Sequence, residues 1–198
     1  MKKRIVIIGG SVAGLNAALI LASAINKELE FDITIIDNGG GDILKAEIHN
    51  VPFFPKSVSG EAIIAQIKKQ IQEFVSVSAI NAKATEISGS KGAFTIKTTQ
   101  GDVAGDYVIL ATGANGFDIT GLDEITQPHT LMTKPGKIKL KHGERNLIKD
   151  GIYVAGIASG VTSMVSCTLG DSAETACAIL SDIKGTPTIV HDFKGSRG

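Results

Sequence analysis

The chain has little cysteine and no long apolar run. Its 198 residues include two cysteines, Cys167 and Cys177, ten positions apart. Cysteines at this spacing form neither a disulfide framework nor the Cys-x-x-Cys of a dithiol redox site. No apolar stretch approaches the roughly 20 residues that cross a membrane. The sequence therefore predicts a cytoplasmic protein without a membrane partner.

Excess charge of either sign is also missing. Twenty basic residues balance twenty acidic ones, which argues against a nucleic-acid surface or an acidic tail. The basic start MKKR precedes apolar residues, but these carry a glycine turn and no separate cleavage region, unlike a secretion signal. His129, His142 and His191 have no ligand-like spacing with one another or with a cysteine, so we predict no metal site.

The segment 5–19, IVIIGGSVAGLNAAL, is the most informative part of the chain. Its apolar, β-branched start predicts a buried parallel strand, and the glycines that follow have the spacing G-x-G-x-x-G with serine in the middle. Gly9 permits the tight turn, Ser11 lets a pyrophosphate approach, and Gly14 allows close helix packing. The helix N-terminus favours phosphate charge. We therefore predict a dinucleotide-binding turn that comprises Gly9, Gly10, Ser11, Val12, Ala13 and Gly14.

An acidic residue ends the next predicted strand. The run FDITII at 31–36 leads into Asp37 and Asn38, and an acid at this point hydrogen-bonds the adenosine ribose of a dinucleotide. The alternative is an ordinary turn aspartate before three glycines. The order of strand, glycine turn, helix, strand and acid favours the dinucleotide site.

The rest of the sequence alternates short strands with two helices. Periodicity predicts a helix over 60–74, with Ile63, Ile67, Ile71 and Phe74 on its buried face, and a second over 170–184 that Gly185 ends. Further strands are predicted at 82–87, 94–99, 107–111 and 151–156, with turns at 88–90 and 100–102. The alternating lysines of 137–141 predict an edge strand with one solvated face. We expect one domain over 1–186, with a connector at 115–133 and a loosely held tail at 187–198.

Four blocks, in order, resemble the FAD domain of the thioredoxin-reductase-like pyridine nucleotide-disulfide oxidoreductases. They are the glycine turn, EIHNVP at 47–52, ATGA at 111–114 and GIYVAG at 151–156. The resemblance implies an α/β fold, namely a Rossmann-like three-layer FAD-binding domain with a parallel central sheet and a small antiparallel β-meander. It implies FAD as the cofactor, with further contacts from Asn50, Ala84, Ala111, Thr112, Gly113, Gly156, Ile157 and Gly170. The alternative for Asn50 is a cap of the turn before Val51 and Pro52, and the resemblance favours the flavin contact.

Three departures from the family pattern shape the functional expectation. Only 37 residues, 114–150, separate Gly113 from Gly151, too few for the NADPH domain that the family inserts there. The family's Cys-x-x-Cys is missing. Ile157 stands where the family has an acid that contacts FAD, and the lost hydrogen bond is worth on the order of 1.5–3 kcal/mol. We therefore do not expect a thioredoxin reductase.

The leading hypothesis is an FAD-dependent oxidoreductase or electron carrier whose flavin is reduced from outside. A separate reductase, a thiol or NAD(P)H is the expected donor, the acceptor is unknown, and relatives in the family pair as dimers. Two alternatives stay open: a non-catalytic FAD or nucleotide-binding module, including the flavin subunit of a split reductase, and an NAD-binding protein. Cys167 is a catalytic candidate, although a lone cysteine is more often a small buried hydrophobe.

Overall fold

A computed structural model describes residues 2–26, 29–74 and 77–191. The helices are α1 (Val12–Ser23), α2 (Gly60–Gln72) and α3 (Val165–Lys184), and short 3-10 turns cover Asp42–Lys45, Glu144–Asn146 and Gly156–Ser159. The strands are β1 (Lys3–Ile8), β2 (Phe31–Asp37), β3 (Glu47–Ile48), β4 (Val58–Ser59), β5 (Ser78–Asn81), β6 (Ala84–Ser90), β7 (Ala93–Thr98), β8 (Gly101–Gly105), β9 (Tyr107–Leu110), β10 (Thr126–Pro128), β11 (Ile138–Leu140), β12 (Leu147–Lys149) and β13 (Ile152–Val154).

The central sheet has six strands in the order β12-β13-β9-β1-β2-β5. All its neighbours pair in parallel except β12 with β13. Strands buried on both faces are continuous apolar runs, and 5–8 is such a run, with every side chain at most 6% exposed. Ile5 and Ile7 pack with the helices, whereas Val6 and Ile8 pack with the strands β6-β7-β8. The predicted α/β class, with three layers and an antiparallel meander, is confirmed.

Several local predictions differ from the structure. The strand predicted at 82–87 is β6, which begins at Ala84 and continues to Ser90, because residues 82–83 connect the central sheet to the meander. The turn predicted at 88–90 comes later, at Lys91–Gly92, and the turn predicted at 100–102 contains the start of β8. Glycine-rich β8 has poor strand propensity, so its pairing with β7 is a tertiary effect.

The helix ends also differ from the sequence prediction. Helix α2 ends at Gln72, so Phe74 lies beyond its C-cap and is 45% exposed, while Ile63, Ile67 and Ile71 are buried as predicted. Helix α3 begins at Val165 rather than at 170, and Gly185 ends it in the left-handed conformation. The helix therefore includes five residues, 165–169, that precede its predicted start.

The segment 115–133 and the strand after it form more structure than predicted. Strand β10 lies within 115–133 and pairs with β11 in a separate two-stranded sheet. Lys137 is not on a solvated face, because its side chain is only 14% exposed. Of the expected tail, residues 192–198 lie outside the described residues, and the Thr188 N–H donates to Ser181 Oγ over 2.9 Å. Among the described residues no helix is long and apolar enough to span a membrane.

Candidate functional site

A cavity of about 480 Å³ lies at the carboxyl ends of β1, β2 and β9. Ile8, Ile36 and Ala111 mark these strand ends in its wall. Open α/β sheets bind ligands at this edge, and the volume falls in the roughly 300–1,000 Å³ range of ligand sites. The position of the cavity therefore follows from the topology of the sheet, because its parallel strands end at the same edge.

Most of the residues predicted to bind a cofactor share this wall. They are Gly9, Gly10, Ser11, Val12, Ala13, Asp37, Asn38, Asn50, Ala84, Ala111, Thr112, Gly113 and Ile157. Gly14, Gly156, Gly170 and Cys167 are not part of the wall. The structure thus brings together residues from six separate segments of the sequence.

The glycine turn presents the open N-terminus of α1 to the cavity. Ser11 is the N-cap, its side chain makes no capping hydrogen bond, and the first turn contains no acidic residue. The first helical bond runs from the Leu15 N–H to the Ser11 carbonyl over 2.9 Å, so the N–H groups before it have no helical acceptor. Such a terminus favours an anion such as a phosphate.

Two glycines of the turn are required by close packing. Gly9 has φ +112°, and a Cβ there would lie 2.3 Å from the Ala111 carbonyl oxygen. A Cβ at Gly14 would lie 1.9 Å from the Gly9 carbonyl oxygen and 3.1 Å from Ile7 Cγ2. Gly14 therefore shapes the site from behind, by letting α1 approach β1, rather than by facing the cavity.

Asp37 occupies the end of β2 beside the glycine turn. A Cβ on Gly10 would lie 2.8 Å from the Asp37 carboxyl group, so the absence of a side chain at Gly10 makes room for this acid. Within the described residues the Asp37 carboxylate has no hydrogen-bond or ion-pair partner, although its backbone carbonyl accepts the Ala82 N–H at 3.0 Å. The carboxylate is available to accept hydrogen bonds from the hydroxyls of a ligand.

Helix α3 supplies a second open N-terminus to the same cavity. Its N-cap, Met164, makes no side-chain capping bond, and Ser163, Met164, Val165 and Thr168 line the wall. Thr112, two residues beyond the end of β9, contributes a buried hydroxyl oxygen that has no partner among the described residues. A buried polar atom without a partner costs about 1–3 kcal/mol, and a polar ligand in the cavity would remove that cost.

The turn Gly156–Ser159 carries Ile157 into the wall and is held by Asp171 of α3. The Gly156 N–H donates to Asp171 Oδ2 over 2.6 Å, and Ser159 Oγ donates to Asp171 Oδ1 over 3.0 Å. A Cβ on Gly156, which has φ +73°, would lie 2.4 Å from Ala13 Cβ. Gly156 therefore packs against α1, and its N–H is already used inside the protein.

His129 holds the other side of this turn. The Leu131 N–H lies 3.2 Å from His129 Nδ1, so Nδ1 is the acceptor and the proton resides on Nε2. Nε2 donates to the Ile157 carbonyl oxygen over 3.1 Å. His129 is 6% exposed. His129, for which the sequence predicts no metal, thus donates a buried hydrogen bond that joins the segment after β10 to the cavity wall.

The weak catalytic candidate lies outside the cavity. Cys167 and Cys177 are both on α3, where ten residues span about 15 Å, too far for a disulfide. Burial raises the pKa of the Cys177 thiol, which makes it a poor nucleophile. Gly170 lies inside α3 with no atom within 4 Å of an added Cβ. Within the described residues no group of His, Cys, Asp and Glu is arranged to hold a metal ion.

Sequence reasoning missed several charged residues of the wall. Lys83 and Asp118 form an ion pair, and both line the cavity near Ala84. Asp42, also in the wall, lies 3.4 Å from the ammonium group of Lys137. Lysine and aspartate at loop positions carry no pattern that separates a partnered side chain from a solvated one, so only the tertiary structure identifies these pairs.

The chain matches one protein family over most of its length. The family profile described as pyridine nucleotide-disulphide oxidoreductase covers residues 3–167. A ferredoxin--NADP reductase of Lactiplantibacillus plantarum is 31% identical over 116 residues, which are 57% of this chain and 34% of the relative. A thioredoxin reductase of Rickettsia bellii is 25% identical over 171 residues, 80% of this chain and 54% of the relative. The chain spans about a third of the length of the first of these relatives.

Solved structures of reductases share the fold. A thioredoxin reductase from Gloeobacter violaceus superposes with a TM-score of 0.75 at 16% identity, over 97% of this chain and 99% of that one. A ferredoxin-flavin thioredoxin reductase from Clostridium acetobutylicum gives a TM-score of 0.68 at 15% identity, over 93% and 98% of the two chains. At this identity the likeness concerns the fold alone.

Proposed function

Since the chain belongs to the pyridine nucleotide-disulphide oxidoreductase family, we propose that it binds FAD and works as an oxidoreductase or electron carrier. One observation carries the proposal: two uncapped helix N-termini, those of α1 and α3, open into a single cavity. A dinucleotide needs an anion site at its centre and polar groups at both ends. The unpartnered Thr112 hydroxyl and the free Asp37 carboxylate supply such groups.

Each part of an FAD molecule can be assigned to a different part of the cavity wall. The first turn of α1 would hold the pyrophosphate, Asp37 the adenosine ribose, and the backbone at Lys83 and Ala84 the adenine. Asn50, Ile157 and the α3 terminus would surround the isoalloxazine, which supplies electron transfer when FAD is bound. Cytoplasmic location and a single domain over 1–186 accompany this proposal.

The short segment between Gly113 and Gly151 bears on the source of the electrons. Between Gly113 and Gly151 the structure forms the β10-β11 sheet, short turns and the edge strand β12, which leaves no room for a second dinucleotide-binding domain at that point. We therefore expect an external donor, in the form of a separate reductase, a thiol or free NAD(P)H. Some relatives carry the name ferredoxin--NADP reductase, so an external electron-transfer protein is a reasonable donor or acceptor.

A non-catalytic module or the flavin subunit of a split reductase is the second candidate. It is favoured by the same internal spacing between Gly113 and Gly151 and by Ile157 in the wall. Cys167 and Cys177 cannot act as a dithiol because both lie on one helix, far apart. Thiol exchange is therefore not proposed for this chain.

Titration with FAD, FMN and NAD⁺, followed by visible absorption and equilibrium dialysis, tests the proposal. FAD should bind well, while FMN, which lacks the AMP half, should bind at least about tenfold more weakly, because Asp37 loses the adenosine ribose and the α1 terminus keeps only one of the two phosphates. Preference for NAD⁺ would establish the NAD-binding alternative. Adding NADH or NADPH without air then tests whether a nicotinamide reduces the flavin directly: bleaching shows direct reduction, and no bleaching indicates a partner-fed carrier or the flavin subunit of a split reductase.

A further inference from the structure

The loop 38–42 covers the glycine turn, and its backbone is unusually free. Gly39, Gly40 and Gly41 have φ of +78°, +100° and +110°, and nothing lies within 4 Å of a Cβ added at Gly39 or Gly40. At Gly41 an added Cβ would lie 3.3 Å from Ser11 Oγ. The loop therefore lies over the α1 terminus, where the proposed function puts the pyrophosphate. Its three successive glycines can adopt positive as well as negative φ, so its backbone has more accessible conformations than that of other residues.

The C-terminal end of this loop, where the 3-10 turn Asp42–Lys45 begins, contacts the opposite wall of the cavity. Asp42 Oδ2 lies 3.4 Å from Lys137 Nζ, and Asn115 Nδ2 lies 3.5 Å from Asp42 Oδ1. Lys137 Nζ also donates to the side-chain oxygen of Asn115. Asp42 and Asn115 both line the cavity, so their contact joins two separate parts of its wall.

The opposite wall is well anchored, in contrast to the loop. Ala114 and Ile119 are 5% and 7% exposed. The Ile138 N–H donates to the Ala114 carbonyl over 3.0 Å, and the Thr120 N–H donates to the Thr85 carbonyl over 3.0 Å. Lys137 is itself largely buried. When the two sides separate, the exposed glycine loop is the side free to move.

We propose that Asp42 and Lys137 form a latch that holds the loop 38–42 closed over the cavity. A dinucleotide then enters and leaves only when this pair separates, so the pair governs exchange of the cofactor rather than its affinity. The inference rests on the proposed function for the identity of the ligand. It also makes exchange sensitive to salt, because the Asp42 carboxylate is 69% exposed and ions screen such a pair.

Hydrogen exchange of the ligand-free protein tests the latch without any cofactor. Lys137→Met keeps the apolar stem and removes the charge, and Asp42→Asn removes the partner's charge from an exposed position. Both variants should speed amide exchange in 38–42 by roughly three- to tenfold. Lys141→Met, the same change at an exposed lysine on the same segment, should leave this exchange as in the unaltered protein. Unchanged exchange in both latch variants would overturn the proposal.

Stopped-flow measurement of FAD binding and release gives the second test. A latch predicts that association and dissociation both become faster by a similar factor of roughly three to ten, with Kd altered less than about twofold. High salt should speed exchange in the unaltered protein and have little effect in Lys137→Met. Faster release with unchanged association would contradict the latch, because it describes a direct cofactor contact. Absence of FAD binding in the unaltered protein would refute the proposed function, while hydrogen exchange would still decide the latch.

Discussion

Asp171 Oδ2 accepts the N–H of Gly156 over 2.6 Å, which joins the interior of α3 to the turn after β13. The other carboxyl oxygen, Oδ1, accepts from Ser159 Oγ and from Asn146 Nδ2, at 3.0 and 2.9 Å. Three donors from two segments thus converge on one carboxylate. Because the turn carries Ile157 into the cavity wall, Asp171 positions that wall without facing the cavity.

Asp171→Asn should therefore weaken both the fold and the site. An amide cannot accept from all three donors, and one of them is left buried without an acceptor, which costs about 1–3 kcal/mol in the free energy of unfolding. We also expect FAD affinity to fall by about tenfold. Urea unfolding and FAD titration measure the two effects, with Asp123→Asn, an exposed aspartate, as the control. Full stability with full affinity would contradict the positioning role.

Ile157→Asp should strengthen FAD binding. The resemblance places a cofactor-contacting acid at this position, and one hydrogen bond from a ligand hydroxyl to a carboxylate is worth about 1.5–3 kcal/mol, or roughly ten- to a hundredfold in Kd. Ile157→Asn, of similar size but uncharged, is the control and should give a smaller gain. A fluorescence titration with FAD measures both. Weaker FAD binding in Ile157→Asp would show that residue 157 does not contact the cofactor as the acid at this position does in the family.

Gly14→Ala and Gly170→Ala form a matched pair with opposite expected effects. At Gly14 the new Cβ would lie 1.9 Å from the Gly9 carbonyl oxygen, so α1 must move from β1 and FAD binding should be lost. At Gly170 nothing lies within 4 Å, and alanine in a helix interior stabilises by roughly 0.5–1 kcal/mol. Thermal unfolding and FAD titration measure both. Weakened FAD binding in Gly170→Ala would restore Gly170 to the cofactor contacts that the sequence predicts.

Acid should weaken the pair of Arg4 and Asp106. The Arg4 guanidinium donates to Asp106 Oδ1 over 2.6 Å, and these hydrogen bonds lower the pKa of the buried Asp106 carboxyl. A carboxyl whose pKa is lower in the folded state adds stability above its unfolded pKa of about 3.9, and that stability is lost as the pH falls through the folded pKa. Asp106→Asn should cost about 1–2 kcal/mol at neutral pH.

The same variant should also depend less steeply on pH below about 4, because the titrating group is gone. Urea unfolding across a pH series makes the comparison, with Asp102→Asn, an exposed residue of β8, as the control. An unchanged acid slope in Asp106→Asn would assign acid sensitivity to other carboxylates.

The sequence alone determined the parts that rest on local pattern. The apolar run 5–8, the glycine turn and Asp37 predicted a strand, a helix N-terminus and an acid that the structure places around one cavity. Such features are readable because backbone geometry requires particular residue types at fixed spacing: glycine at positive φ, and apolar residues on both faces of a parallel strand.

Only the tertiary structure decided the contacts between distant segments. Nothing in the sequence separates Lys137, which reaches Asp42 and is nearly buried, from Lys141, which is exposed. His129 and Asp171 likewise gain their roles from residues 28 and 15 positions away. Strand β8 forms because β7 lies beside it. Pairing across long separations depends on how the layers pack, and a local pattern of residue types does not encode it.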